Sequence, residues 1–534
     1  MKLRSSVVFR ISALAVSGVH GTRNFQRQCR GLAYSLDISG ARDVFSEFVP
    51  SGTVVELPVR DPSCNRTSQE VTVNLCRVGM SISTSERSGI YMEAWLPEHW
   101  SGRFLHTGNG GLGGCIMYED IEYAASFGFA SVGTNNGHDG VYGDAFLHNP
   151  DVVADYAYRA VHTGVVVGKG VTRSFYGTPH TKSYFLSCSA GGRSGFKEAQ
   201  DFPEDFDGIV AGAPAINFNN ITSWSCSFLP TTGPVDSPTF APMDMWPIIH
   251  DDILAQCDEI DGLRDGILES PDLCDYTPDG LICAEGDTTR CLTPTQAETV
   301  RTIYSPLLGE DGSLTYPRMQ PGSEDTEAPA AYYYGVPFVE YDWFRYVVFN
   351  DSDWDPFSLA PPDYTFIHNQ NPFDVETWKG DLSGFKDRGG KMLTYHGLKD
   401  GIITSEISPL YYKHVSENMG LSPSEMDDFY RLFRISGMAH CEGGPGAAFI
   451  GNTRRNMATK DPDENVLWSI VRWVEQGIAP DTITGTAYVN GTKSAGVAFK
   501  RKHCRWPYRN VYQGGDPDLE DSWGCVYSDL TWTD

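Results

Sequence analysis

The sequence lacks the features that mark several common classes of protein. After the first 21 residues it has no apolar run of about 18 residues, so we expect no membrane-spanning helix. None of its 13 cysteines form a C-x-x-C pair, which disfavours a zinc site of that type. Basic residues are few, since 41 Lys and Arg stand against 69 Asp and Glu, for a net charge of −28. This balance argues against nucleic acid or an anionic membrane as a partner.

Cysteine, by contrast, is abundant for a chain of 534 residues. This number favours a disulfide framework and an oxidising compartment. Four pairs are predicted from the positions of the cysteines: Cys188–Cys441, Cys257–Cys274, Cys283–Cys291 and Cys504–Cys525. Four cysteines near the N-terminus remain with their pairing open, namely Cys29, Cys64, Cys76 and Cys115, and Cys226 is left over.

The first 21 residues resemble an export signal. A basic start precedes a short apolar run over 11–19, although Arg10 interrupts the apolar region. The alternative is a disordered N-terminal arm. Four N-x-S/T triplets also fit a glycosylated, secreted protein, although such triplets arise by chance; they begin at Asn65, Asn220, Asn350 and Asn490. We therefore expect secretion.

Short apolar segments alternate with helical patterns through most of the chain. Strands are predicted over 89–96, 103–106, 129–133, 183–187, 209–214, 391–397 and 430–435, and helices over 152–171, 195–200 and 463–477. The alternation predicts an α/β protein with a parallel sheet. Residues 217–382 interrupt it, because they are rich in Pro, Asp, Tyr and Trp and hold five cysteines. We interpret them as an inserted domain.

Two distant motifs predict one active site. Ser189 lies in Ser187-Cys188-Ser189-Ala190-Gly191-Gly192, and His440 precedes Cys441. A disulfide holds its two Cα atoms roughly 5–6 Å apart, so a Cys188–Cys441 bond would bring Ser189 close to His440. A serine nucleophile needs such a histidine to accept its proton. The alternative to a nucleophile motif is that residues 187–192 form only a turn rich in Ser and Gly.

Asp400 is the candidate acid that orients the histidine. It lies in a loop directly after a predicted strand, where an α/β sheet gathers its functional groups. The chain order Ser, Asp, His is that of α/β-hydrolases. Two alternatives stay open: Asp400 could form a turn, and His396 could be the working histidine.

The glycine-rich run 108–114 follows an early predicted strand. In a serine hydrolase this position supplies one oxyanion-hole amide, here from Gly110 or Gly111, and the N–H of Ala190 supplies the other. A phosphate-binding loop is the weaker interpretation, because no Lys follows at the Walker spacing.

An acidic loop at 257–267 predicts a calcium site. The side chains of Asp258, Asp261 and Asp265 and the carbonyls of Leu263 and Ile267 could supply oxygen ligands. The loop is not an EF-hand, since no Glu stands at the twelfth position. The alternative is a solvated acidic turn.

Together these motifs resemble the fungal tannase and feruloyl esterase family. The resemblance is carried by Cys188-Ser189-x-Gly-Gly, by the His-Gly-x-x-Asp loop ending at Asp400, and by His440-Cys441. It implies an α/β-hydrolase core over 22–216 and 383–534, with a lid over 217–382 that carries a structural calcium. It also implies the pairs Cys29–Cys76 and Cys64–Cys115. Ser187 departs from the family, which usually has Gly there.

By this resemblance Ser189 is the nucleophile, Asp400 orients the base and His440 is the base. We expect a secreted esterase that frees hydroxycinnamates from plant cell-wall polysaccharide such as xylan, with a tannase acting on galloyl esters as the alternative. A non-catalytic binding protein on a hydrolase fold is the rival from another class. Tyr332–Tyr334 and Trp343 are candidates for aromatic residues of the lid that line the substrate pocket. The alternative is that they form the core of the lid. A homodimer is the expected assembly if the chain is not monomeric.

Overall fold

The computed structural model describes residues 14–58, 60–287 and 289–528. Residues 1–13 of the predicted signal peptide lie outside this range, so the prediction is untested there. The strands are β1 (Ala41–Val49), β2 (Thr53–Glu56), β3 (Ser68–Val71), β4 (Leu75–Ser83), β5 (Gly89–Pro97), β6 (Arg103–Thr107), β7 (Ala130–Thr134), β8 (Lys182–Cys188), β9 (Gly208–Gly212), β10 (Leu307–Leu308), β11 (Leu314–Tyr316), β12 (Lys391–Gly397), β13 (Tyr430–Ile435), β14 (Thr482–Tyr488), β15 (Val497–Cys504), β16 (Tyr508–Tyr512) and β17 (Trp523–Tyr527).

The α-helices surround these strands and also fill the insertion. They are α1 (Leu14–Ser35), α2 (Tyr118–Ser126), α3 (Pro150–Ala154), α4 (Ala160–Tyr176), α5 (Ala190–Asp201), α6 (Phe218–Thr232), α7 (Trp246–Cys257), α8 (Pro294–Ile303), α9 (Tyr341–Trp343), α10 (Pro361–Gln370), α11 (Ser383–Asp387), α12 (Ile407–Met419), α13 (Pro423–Met426) and α14 (Val466–Gln476). Among the described residues, none of these helices combines the length and the apolar character needed to cross a bilayer.

Nine strands form one central sheet in the order β1-β4-β5-β7-β6-β8-β9-β12-β13. The pairs from β1 to β7 are antiparallel, and those from β7 through β6 to β13 are parallel. Strand β9 and residues 183–187 of β8 are wholly buried, as expected for strands covered by helices on both faces. The predicted α/β-hydrolase core is confirmed.

The parallel half of the sheet brings the predicted site residues to one edge. Ser189 directly follows β8, Asp400 follows β12 and His440 follows β13. The glycine-rich run 108–114 follows β6. Because parallel strands end at the same edge, four loops distant in sequence meet there.

All three predicted helices differ from the observed ones at their ends, and the one predicted over 195–200 spans Ala190–Asp201. The helix predicted over 463–477 begins only at Val466, because the side chain of Asn465 caps the N–H of Trp468. It ends as expected at Gly477, which has a φ of 71°. The helix predicted over 152–171 runs through α3 and α4, with a π-helical turn at Asp155–Arg159 between them.

The described residues between β9 and β12 add no strand to the central sheet. This segment contains α6 to α11 and the small β10–β11 hairpin, and α6 is buried along almost its whole length. We call residues 217–382 the lid insertion; the domain boundaries at its two ends stay predictions.

All six cysteine pairs expected from the positions of the cysteines or from the family resemblance are present. They are Cys29–Cys76, Cys64–Cys115, Cys188–Cys441, Cys257–Cys274, Cys283–Cys291 and Cys504–Cys525. Cys226 is the free, buried thiol that was left over.

Two glycines offer a matched test of the packing beneath the site. A Cβ on Gly212 in β9 would lie 2.1 Å from the Tyr395 ring, whereas a Cβ on Gly170 in α4 would meet nothing within 4 Å. We expect Gly212→Ala to destabilise the fold by about 1–3 kcal/mol through overpacking. Gly170→Ala should stabilise it by about 0.5–1 kcal/mol. Thermal unfolding of both variants checks this, and equal shifts would contradict it.

Candidate active site

Ser189 occupies a sharp turn between β8 and α5. Its φ of 65° and ψ of −129° are unusual for a residue with a side chain. The backbone is held on both sides: Ser189 N donates to the Gly212 carbonyl at 3.0 Å, and the Ser189 carbonyl accepts from Ala215 N at 3.1 Å. Strain of this kind persists only where the surroundings enforce it, and it is common at functional sites.

Glycines allow the loop after β6 to approach this turn. A Cβ on Gly108 would lie 2.7 Å from the Gly191 Cα, and one on Gly191 would lie 2.0 Å from the Ser187 Oγ. Neither position can therefore carry a side chain without movement of the backbone or of Ser187. Ser187, where the family usually has Gly, fits because Gly108 and Gly191 leave room for its hydroxyl.

Asp400 and His440 form a close pair. The Nδ1 of His440 lies 2.9 Å from Oδ2 and 3.1 Å from Oδ1 of Asp400. Asp400 is fully buried, and its Oδ1 also accepts the N–H groups of Ile402 and Ile403, each at 2.9 Å. These bonds fix the carboxylate in the loop after β12.

The charges of the pair shift both pKa values. Burial alone would raise the pKa of Asp400, but the charges and hydrogen bonds of His440 and His396 lower it well below its usual range. Burial alone would lower the pKa of His440, but the Asp400 carboxylate, with smaller contributions from Glu327 and Glu340, raises it. The site therefore favours an ionised Asp400 beside a basic imidazole.

His396, the alternative histidine, has a supporting position. Its ring is fully buried, with Nδ1 2.7 Å from the Ser408 Oγ and Nε2 3.0 Å from the Ile403 carbonyl. Its Nε2 also lies 3.2 Å from Asp400 Oδ2. Because both ring nitrogens are occupied, His396 holds Asp400 in place, and His440 is the better candidate for the base.

The Cys188–Cys441 disulfide joins the neighbours of Ser189 and His440. Its Cα atoms are 6.0 Å apart, although the two cysteines are 253 residues apart in sequence. Cys441 itself has a φ of 63°. The bond therefore ties the loop after β13 directly to the turn after β8.

A cavity opens above Ser189 between the core and the lid insertion. On the core side Ser189, Ala190 and Gly111 line it, which places two of the predicted oxyanion-hole residues together. Gly110, the other candidate, does not line this cavity. The arrangement favours Gly111 over Gly110.

The lid side of the cavity was largely missed from the sequence. It includes Phe218, Ile221, Thr222 and Ser225, all on α6. Their segment is rich in Asn, Ser and Thr, which are poor helix formers, so it gives little helical signal. Glu340 also lines the cavity, and nothing in its local sequence indicates this.

The candidate lid aromatics divide between cavity and core. Tyr332 lines the cavity, and its hydroxyl donates to the Ile402 carbonyl at 2.8 Å. Tyr333 is buried and Tyr334 is exposed. Trp343 is fully buried and packs with Phe218, so it belongs to the lid core.

The acidic loop has an all-oxygen set of donors that suits calcium. Burial raises the pKa of Asp258 and raises that of Asp261 to about 7. The ionised form of both carboxyl groups is therefore destabilised, and a bound cation would stabilise it. Asp261 accepts the N–H groups of Leu263 and Glu269 at 3.0 and 3.1 Å, and Asp265 accepts that of Ile267 at 3.1 Å.

The three loop carboxylates do not converge as they stand. Within the described part of the chain, the only three metal-ligating side chains with ligand atoms within 4.8 Å of one another are His162, Glu198 and Asp205. Calcium in the loop would therefore require the three aspartate side chains to move closer together. The donor types fit calcium, and the side-chain positions would have to change.

Comparison with known proteins gives consistent matches. A family model described as tannase and feruloyl esterase matches residues 76–337 and 368–526. The chain is 52% identical over 505 residues to an Aspergillus oryzae protein described as probable feruloyl esterase B-2, and the match covers 94% of this chain and 96% of the relative.

Solved structures agree with this result. The crystal structure of feruloyl esterase B from Aspergillus oryzae matches with a TM-score of 0.91 at 47% identity, covering 94% of this chain and all of that one (100%). Tannin acyl hydrolase from Aspergillus niger matches with a TM-score of 0.73 at 22% identity, covering 93% of this chain and 94% of that one. The second likeness shows a shared fold alone.

The disulfide beside the site can be tested against a remote one. We expect C188S/C441S to lower kcat for ester hydrolysis by about 10–100-fold, because small displacements of reacting groups are costly. The control C504S/C525S removes the bond between β15 and β17. Both variants should lose about 2–5 kcal/mol of stability, and kcat is compared below either melting transition. Equal effects on kcat would contradict a special role for Cys188–Cys441.

Proposed function

The chain belongs to the tannase and feruloyl esterase family, and on that premise we propose that it is a feruloyl esterase that hydrolyses hydroxycinnamoyl esters through an acyl-enzyme. The observation that carries the proposal is the strained Ser189 turn beside the Asp400–His440 pair, beneath an apolar cavity. Identity of about half to a relative named feruloyl esterase B favours feruloyl over galloyl esters, since the tannin acyl hydrolase is far more distant.

The first half of the reaction acylates Ser189. His440 donates its Nδ1–H to Asp400, which leaves Nε2 free to take the Ser189 proton as Oγ bonds to the ester carbonyl carbon. Negative charge develops on the carbonyl oxygen, where the backbone amides of Ala190 and Gly111 would stabilise it. The ester C–O bond then breaks, and His440 returns the proton to the leaving alcohol.

Water completes the cycle. It loses a proton to His440 as it attacks the acyl-enzyme carbonyl, and the second tetrahedral intermediate collapses to the free acid and the Ser189 hydroxyl. Asp400 stays ionised throughout, because its lowered pKa keeps the carboxylate available to stabilise the imidazolium.

The lid side of the cavity supports an aromatic acyl group. Phe218, Ile221 and Tyr332 supply apolar surface. The hydroxyls of Thr222 and Ser225 donate to the Phe218 and Thr222 carbonyls at 2.8 and 3.2 Å. Their remaining lone pairs can accept a hydrogen bond from a phenolic hydroxyl, the group that distinguishes hydroxycinnamates from cinnamate.

We further propose that the protein is secreted and acts on polysaccharide-linked esters. Six disulfides support an oxidising compartment. Three of the four candidate glycosylation sites, Asn65, Asn350 and Asn490, are exposed. Asn220 is buried within α6. Its side chain is therefore shielded from glycosylation in the folded protein, contrary to the expectation from the sequence. A homodimer stays a prediction.

The calcium proposal rests on the acidic loop. Asp258, Asp261 and Asp265, with the carbonyls of Leu263 and Ile267, would hold the ion. Bound calcium would supply positive charge to these carboxylates and stabilise the loop, with no part in ester chemistry.

The function is tested with two substrates. We expect hydrolysis of methyl ferulate to exceed that of methyl gallate, and Ser189→Ala to lower kcat by at least about 1,000-fold, because the nucleophile is lost. A fluorophosphonate probe should label the wild type and not the variant. Preference for methyl gallate would indicate a tannase. Failure to hydrolyse either ester, together with no labelling, would favour the binding-protein alternative.

Calcium binding is tested by stability. Adding calcium to chelator-treated protein at about 100 times its Kd should stabilise the fold by about 3 kcal/mol, because a ligand that binds only the native state shifts unfolding. Asp261→Asn should weaken this shift, while Asp311→Asn, in an exposed turn, should not. An unchanged melting temperature on adding calcium would support the acidic-turn alternative.

A further inference from the structure

Glu340 is a carboxyl group in the cavity that the mechanism above does not use. It lines the cavity together with Ser189, Ala190 and Gly111. Its Oε2 is shielded from solvent and has no hydrogen-bond partner among the described residues. Its Oε1 is the nearest atom, at 4.0 Å, to the position that a Cβ on Gly111 would occupy. The carboxyl therefore faces the loop proposed to bind the oxyanion.

The backbone around Glu340 is fixed in place. The Glu340 carbonyl accepts the Trp343 N–H at 3.0 Å, and Trp343 is fully buried. The next side chain, Tyr341, donates to the Cys226 carbonyl at 2.5 Å. Asp342 accepts the N–H of Gly143 from the core at 3.0 Å. Glu340 is thus fixed by the residues that directly follow it, which contact both the lid insertion and the core.

The charged and titratable groups around Glu340 provide little positive charge. His440 is the one cationic group that acts on it, and Asp342 is a second carboxylate. The other groups that interact with it are Tyr156, Tyr332, Tyr341 and the Cys226 thiol. Burial, with a small contribution from Asp342, raises the pKa of Glu340 to about 8, against the smaller lowering effects of its own backbone N–H and of His440. Below that pH the group is a carboxylic acid.

From this geometry we propose that Glu340 binds the substrate as an un-ionised carboxyl group, donating a hydrogen bond from the lid to an oxygen of the bound ester. The inference rests on the proposed esterase function. An un-ionised carboxyl offers a donor, as an oxyanion-hole group does. An ionised one would repel the negative charge that develops on the substrate between Gly111 and Ala190. The lid would then supply a polar contact as well as apolar cover.

The test compares wild type, Glu340→Gln and Glu340→Ala on methyl ferulate from pH 5 to 9. Glutamine keeps a donor but cannot ionise, so the ratio of kcat/KM for Glu340→Gln to that of wild type should rise about tenfold between pH 7 and 9, as expected from a pKa of about 8. Ionisation of the substrate phenol cancels in this ratio. At pH 6 Glu340→Ala should lower kcat/KM by about 10–100-fold, because a buried hydrogen bond is lost.

The control is Glu310→Gln, which removes an exposed acid of the lid insertion that does not line the cavity. Its ratio to wild type should stay flat over the same pH range. A flat ratio for Glu340→Gln, or an equal rise for Glu310→Gln, would overturn the proposal. Melting temperatures and fluorophosphonate labelling of each variant show whether the fold and Ser189 are intact. If wild type hydrolyses no ferulate ester, the proposed function fails; if only the Glu340 effects are missing, the inference alone fails.

Discussion

The close approach of two glycine-bearing loops is the constraint on which the site depends. Neither Gly108 nor Gly191 has space for a Cβ, because one on Gly108 would meet the Gly191 Cα and one on Gly191 would meet the Ser187 side chain. Their contact brings the loop after β6 against the turn that carries Ser189. The same contact leaves room for Ser187, and it places Gly111 beside Ser189 and Ala190. The glycines thus permit the close packing around the turn in which Ser189 has its unusual backbone conformation.

The histidine loop is supported from a different direction. Ser436, just after β13, donates to the buried Glu269, which lies shortly after the acidic loop. Arg501 on β15 bridges Glu269 and Asp265, at 2.6 and 2.9 Å, and stacks over Trp523 at 3.7 Å. The lid insertion and the C-terminal hairpins therefore meet behind the loop that leads to His440, and the acidic loop is connected to the site through packing.

The sequence predicts those parts of the molecule whose signals are local. Strands β8, β9, β12 and β13 are short apolar runs because helices cover both faces of the sheet. Ser189 and His440 could be paired because each stands beside a cysteine. Strand β1, with several exposed side chains, was not predicted, since its alternation is weak. Glu340 could not be predicted at all, because its position over Gly111 is set by the fold of the lid and not by its neighbours in sequence.

The span of the Cys188–Cys441 bond has a consequence for biosynthesis. The cysteines are separated by 253 residues, so the bond cannot form until the ribosome has passed residue 441 and the segment has reached an oxidising environment. All of the lid insertion has been synthesised by then. Assembly of the catalytic groups is consequently a late event, and a nascent chain still inside a reducing compartment carries its serine and histidine without the covalent link between their loops.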